Sequence, residues 1–223
     1  RKWRDGREDN DDTDATMWGS LIDVLTLTPG NFDELYAMAP AEYPDSKTGI
    51  LKRWNWNATF CKEWREDQGD KIPLKSDLFA KASCAVAILR ENKMAAELID
   101  ASQKQVMVVG MWRDDATGLE VPIRCLIDMA PDLDHVRWHR TLSDLKSCRN
   151  GHPDAWGRVV DSFAYDMQAA LSLDLYNAAT AEARTDWVFV VQENVHPYHV
   201  VDPLPALTAE FLAYGRAKYQ SAL

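Results

Sequence analysis

Asp128 and the triplet Asp144-Leu145-Lys146 are the residues of this chain best suited to chemistry. Each Asp closes an apolar stretch, Val121-Pro122-Ile123-Arg124-Cys125-Leu126-Ile127 in the first case and Val136 to Ser143 in the second. In a strand, residues two apart share a face, so Asp144 and Lys146 project together. If the two strands pair, Asp128 meets them. Two carboxylates hold a hard cation through oxygen, and an ammonium beside them orients a water or offsets charge developing on a phosphate. That is the equipment of metal-dependent phosphodiester hydrolysis. A lone D-x-K triplet is usually a surface ion pair. Its position after a strand, sixteen residues beyond another strand-terminal Asp, sets this one apart.

Other chemistries find less support. The five histidines, at 135, 139, 152, 196 and 199, offer no helical zinc-hydrolase signature. No G-x-S-x-G, P-loop or G-x-G-x-x-G occurs. Cysteines at 61, 84, 125 and 148 form no C-x-x-C pair, so free thiols are expected rather than a zinc ribbon or an iron–sulfur cluster.

The elements that must position these residues follow from hydrophobic period. Helices are expected at 15–28 (closed by Pro29-Gly30), 51–67, 74–89 and 94–101, with a short helical turn at 31–34 and a loop at 39–49. The period then changes to two. Strands at 105–112, 119–129 and 136–146 form an antiparallel meander, with turns at Asp114–Gly118 and Pro131–Asp134. One long helix spans 153–180, strands follow at 187–192 and 198–201, and a helix closes the chain from 203 to 223. The fold class is α/β. The expected organisation is an acidic, disordered leader (1–14) and a single domain (15–223), itself a helical N-terminal part (15–101) and a catalytic core (102–223).

The 223 residues suffice for a sizeable core, and nine Trp, seven Tyr and six Phe favour a folded protein. A net charge of −10 argues against a protein that simply coats DNA. It leaves room for a nuclease, because acids on outer faces coexist with a local basic groove. Lys47, Lys52, Arg53, Trp54 and Trp56 combine positive charge with stacking surfaces suited to single strands or strand ends. Arg124, four residues before Asp128 on the same strand face, and Arg149 are placed to touch phosphates. No apolar run approaches bilayer length and no signal-peptide pattern appears, so a cytoplasmic protein without membrane contact is expected.

The order strand–Asp, strand–Asp-x-Lys, then a helix carrying Gln168 and Tyr176 resembles the PD-(D/E)xK nuclease superfamily. More narrowly it resembles the RecE-type and lambda-exonuclease-type phage recombination exonucleases. The likeness rests on Gly118-Leu119, Arg124 with Asp128, Ser143-Asp144-Leu145-Lys146-Ser147, Ala164-Tyr165-Asp166-Met167-Gln168-Ala169-Ala170 continuing to Tyr176, His196-Pro197-Tyr198, and Trp18-Gly19-Ser20-Leu21-Ile22-Asp23. It implies a restriction-endonuclease-like core, a central mixed sheet flanked by helices. It implies that Asp128, Asp144 and the backbone carbonyl of Leu145 bind Mg²⁺ or Mn²⁺, that Lys146 positions or activates the water, and that Gln168 and Tyr176 orient the site and the DNA. Asp23 stands where relatives carry His and becomes a further oxygen ligand. Ser147 and Tyr165 join Arg124, Arg149, Lys52, Arg53 and Trp54 as DNA contacts. Many relatives carry a metal-binding Glu before the first motif strand; here Gln105 or, alternatively, Glu97 takes that slot, and with Gln105 in it one ion is expected to be held more firmly than two.

By the same resemblance, the expected activity is 5′-to-3′ digestion of linear double-stranded DNA in phage-type recombination. The expected assembly is a trimeric or tetrameric ring on DNA ends, working with a single-strand annealing protein. Two alternatives share the scaffold: a structure-specific or defence endonuclease, and a degenerate nuclease retained as a DNA- or protein-binding module.

Overall fold

The structure is a computed structural model that describes residues 14–113, 117–203 and 209–222. The expected acidic leader therefore lies outside the described residues apart from Asp14, as does the centre of the 114–118 turn. The chain forms two compact units with their boundary between Val86 and Ala87. The division thus falls earlier than residue 101, inside a helix that the sequence reads as continuous.

The first unit contains α1 (Asp14–Leu27), α2 (Phe32–Leu35), β1 (Tyr36–Met38), β2 (Glu42–Pro44), β3 (Leu51–Arg53), α3 (Thr59–Asp67), β4 (Ile72–Leu74) and most of α4 (Ser76–Glu91). In α1 the buried positions Trp18, Leu21 and Ile22 recur at helical spacing. β1 pairs in parallel with β4, and β2 pairs antiparallel with β3. These pairings correct two expectations, the loop at 39–49 and the helix at 51–67. The helix starts eight residues late because Asn55 builds a turn first: its side-chain Oδ1 accepts from Asn57 N (3.0 Å) and its carbonyl from Ala58 N (2.9 Å).

The second unit continues with α5 (Lys93–Asp100), β5 (Ser102–Arg113), β6 (Glu120–Pro131), β7 (Thr141–Cys148), α6 (Pro153–Ser162), α7 (Tyr165–Thr180), β8 (Asp186–Glu193), β9 (Val200–Val201) and α8 (Ala209–Ala222). Its sheet runs β5-β6-β7-β8-β9. β7 and β8 are parallel, with Asp144 opposite Phe189, and the other neighbours are antiparallel. A parallel pair needs a crossover, and α6 with α7 supplies it. Trp187 to Gln192 are all buried, as an interior strand covered on both faces requires. Ile127, Leu142, Ala169, Leu173, Trp187, Phe189 and Leu212 join sheet, α7 and α8 in one core.

Two further expectations are corrected here. The third strand begins at Thr141 rather than Val136, because the His135 ring Nδ1 accepts from the backbone N–H of Arg137 (3.3 Å) and Trp138 (3.1 Å) and folds that stretch into turns. The long helix is two helices. Ala164, with φ 52° and ψ 42°, turns the chain left-handed between α6 and α7. No Gly or Pro marks the break.

α8 locks onto α7, the helix that borders the site. A Cβ placed on Gly215 would lie 2.1 Å from the carbonyl oxygen of Asp166 and 3.0 Å from Ala170 Cβ. Around that close approach Lys218 pairs with Asp166 (2.8 Å), Arg216 grips Asp174 (2.7 Å), and the Tyr219 hydroxyl donates to Asp174 Oδ2 (2.8 Å). Gly215→Ala is therefore expected to destabilise the protein by about 3 kcal/mol, the upper end for overpacking, since backbone cannot yield as a side chain can. Chemical denaturation of the variant against the parent measures it.

Candidate active site

The site forms where β6 and β7 part. The two strands share only one ladder pair, Met129 with Ser143, and then splay. The N–H of Leu145 points into the fork, and Asp128 Oδ2 accepts it (2.9 Å). This bond replaces a backbone partner and draws Asp128 against β7. Asp144 and Lys146, two apart on β7, share the face that meets α7, and their side chains form an ion pair. Gln168, on the first turn of α7, donates to Asp144 Oδ1 (3.3 Å). Asp128 is 9% exposed and Asp144 3%.

The remaining oxygen of Asp128, Oδ1, accepts from Gln105 Nε2 (3.1 Å). Gln105 lies within β5 yet has φ +54°. Its neighbours keep strict register, Lys104 with Met129 and Val106 with Ile127, so the left-handed residue is a local distortion directly opposite Asp128. Such a backbone costs about 1–3 kcal/mol in a residue with a side chain and is found where surrounding structure enforces it. The residue type at 105 was legible in the sequence. Its backbone conformation was not.

Electrostatics favour the charged form of Lys146. Burial alone would pull its ammonium down, but the charge and hydrogen bond of Asp144, with Asp128 and Tyr165 behind them, hold it above the ordinary lysine range. Its Nζ also stands 4.8 Å above the centre of the Tyr165 ring. Lys146 is thus a cation facing two buried carboxylates, and one unit of negative charge is left over. That excess favours a cation, and oxygen donors suit Mg²⁺ or Mn²⁺. Among the described residues no group of three or more His, Cys, Asp or Glu side chains could hold an ion. An ion held here would draw on two carboxylates, a main-chain carbonyl and water, a sparse set that Mg²⁺ tolerates.

The other predicted residues fall in several places. Tyr165 lies beside Lys146, and Ser147 follows it on β7, half-buried. Arg149 is exposed in the loop after β7. Arg124 is exposed on the β5–β6 ribbon, opposite Val109. Tyr176 is buried near the far end of α7, where its hydroxyl donates to Glu182 (3.4 Å) and its ring takes the Arg184 guanidinium. It lies eight helical steps beyond Gln168, about 12 Å of rise, so it does not share that contact with Asp144. Asp23 lies half-buried on α1, in the first unit rather than the one that carries Asp128 and Asp144.

Trp54 packs edge-on against Trp56 and Trp64 (5.3 and 5.2 Å) and so contributes to the aromatic packing of the first unit. Lys52 is paired with Asp45, and Arg53 is exposed. Arg184 was not anticipated from sequence. It is 4% exposed and tied to Glu182 (2.6 Å) and the His139 carbonyl (2.9 Å), which braces the start of β7.

A mixed sheet whose parted strands bring an Asp and an Asp-x-Lys together, with a crossover helix reaching back to them, defines the PD-(D/E)xK class of fold. The family described as PDDEXK-like domain of unknown function (DUF3799) matches residues 2–223, and this chain belongs to it. Its fold is similar to the crystal structure of a "putative exonuclease" from Eubacterium rectale, with a TM-score of 0.58 at 15% identity over 99% of this chain and 68% of that one. A search among curated proteins finds no match.

Proposed function

We propose that this chain is a divalent-cation-dependent deoxyribonuclease. The observation that carries the reading is the gathering of Asp128, Asp144 and Lys146 in the fork between β6 and β7. Membership of a PDDEXK-like family and a fold shared with a protein described as an exonuclease support it. Asp128, Asp144 and the Leu145 carbonyl would hold Mg²⁺ or Mn²⁺, which when bound polarises the scissile phosphate and lowers the pKa of a water.

The chain's own groups do the rest. Lys146, kept protonated, offsets charge on the phosphate and orients the attacking water instead of removing its proton. Gln168 and Gln105 fix the two carboxylates, and Tyr165 holds the ammonium in place. Gln105→Gly separates positioning from folding. It is expected to leave metal-free stability within about 1 kcal/mol of the parent, relief of the left-handed backbone offsetting the hydrogen bond lost by buried Asp128, while cleavage falls about 10- to 100-fold, as is usual when a ligand loses its orienting partner. Thermal melts and initial rates measure the two effects.

The finer reading is 5′-to-3′ digestion of linear duplex by a ring of three or four copies, working with a single-strand annealing partner in phage-type recombination. A ring would reconcile a net charge of −10 with a positive channel. Among the described residues no helix is long and apolar enough to cross a membrane. The decisive experiment is digestion of blunt, 5′-phosphorylated linear duplex beside covalently closed circles, with and without Mg²⁺. Shortening from the 5′ end with intact circles supports the reading. Nicked circles convert it to an endonuclease, and no Mg²⁺-dependent cleavage of either ends it. A gel-filtration mass of one chain would remove the ring.

A further inference from the structure

Phe163 is 68% exposed, an unusual setting for a large aromatic side chain, and its position is not arbitrary. It ends α6 immediately before the left-handed Ala164, so the break in the crossover helix is what thrusts it outward. Its ring stacks on Tyr165, centroids 5.7 Å apart and planes 20° from parallel. Tyr165 in turn lies 4.8 Å below the Lys146 ammonium and is backed by Trp156 at 5.8 Å. An exposed aromatic face is thus two ring contacts from the cation of the site. The acids flanking the turn do not stand alone against a polyanion: Asp161 and Asp166 both face Lys218, at 3.6 and 2.8 Å.

We propose that Phe163 and Tyr165 form a ledge that stacks an unpaired nucleobase next to the phosphate held at Lys146. The proposal rests on the nuclease reading and names the form of substrate that the site takes: a strand whose base, beside the scissile bond, has left the duplex. Bases within a duplex have their faces covered by their neighbours, whereas an aromatic platform accepts any unstacked base. The contact selects for frayed or single-stranded ends and carries little sequence preference.

The test uses the full chain in Ca²⁺ with oligonucleotides bearing 2-aminopurine at a single-stranded end, whose fluorescence falls on stacking. The parent protein is expected to quench the probe. Phe163→Ala and Phe163→Leu are both expected to lose the quenching and to bind the single-stranded end about tenfold more weakly, whereas Phe163→Trp retains both. Quenching and affinity unchanged in the Ala and Leu variants overturn the ledge while leaving the nuclease reading intact, provided the parent binds DNA and cuts it in Mg²⁺. A parent that neither binds nor cuts DNA overturns both. Should Phe163→Ala instead change the gel-filtration mass with quenching retained, the ring covers a contact between copies and the ledge is again overturned.

Discussion

Asp144→Asn is expected to lower DNA cleavage by at least about 10³-fold while leaving the protein folded. The substitution keeps the shape of the side chain, and its amide oxygen can still accept from Gln168. What disappears is the negative charge. With it go one of two carboxylates able to hold the ion and the main partner of Lys146. Metal assistance is worth several kcal/mol of barrier, and each 1.36 kcal/mol is tenfold in rate. Calorimetric titration with Mn²⁺ gives a readout independent of turnover: binding should vanish in the variant and persist in the parent. Cleavage within tenfold of the parent would remove Asp144 from the chemistry.

Lys146→Met should be nearly as severe for cleavage, about 10²- to 10⁴-fold, the usual span for a positioned group that acts on the reacting atoms. Its effect on stability has a distinct signature. Methionine fills the same space but leaves Asp144 and Asp128 buried without their cation, and stripping one partner from a buried pair costs about 3–5 kcal/mol. The pH dependence fixes the sign. The folded pKa of Lys146 lies above its ordinary value of 10.5. Its pairing therefore stabilises the fold fully below pH 10.5 and is lost as pH rises through the elevated value. The stability gap between parent and variant should be flat through neutrality and close only in strong alkali. Mg²⁺ should narrow it as well, by supplying the missing positive charge. A gap that closes near pH 7 would show that Lys146 is not held as a cation.

The centre of the site was legible because its logic is local. Two residues apart on a strand means one face, so Asp144 and Lys146 could be paired from sequence, and the alternation before Asp128 announced a strand. Gln168 came from the family resemblance, not from any local pattern. What escaped was set by tertiary contact. Nothing in the run Ser162-Phe163-Ala164-Tyr165 announces a break, since alanine favours helix, yet Ala164 is left-handed. Strands of three residues such as β1 to β4 are too short to show a period. Arg184 is buried by partners from β7 and the loop after α7, and an isolated arginine in a sequence looks like surface. Tyr176 came from the family resemblance, and nothing in the sequence announced the polar cluster that Glu182 and Arg184 build around it at the far end of α7.

Three of the four carboxylate oxygens accept a hydrogen bond from the chain itself, from Gln105 and the Leu145 amide on Asp128 and from Gln168 on Asp144, and the fourth, Asp144 Oδ2, is ion-paired with Lys146. The acids are therefore braced before any substrate arrives, and folding, not encounter, meets the entropic cost of arranging them. Damage to the braces should accordingly be graded, each loss loosening one oxygen, whereas damage to an acid is all or nothing. A lineage drifting away from catalysis could shed its braces one at a time and keep some turnover, but it would fall silent at the first lost carboxylate.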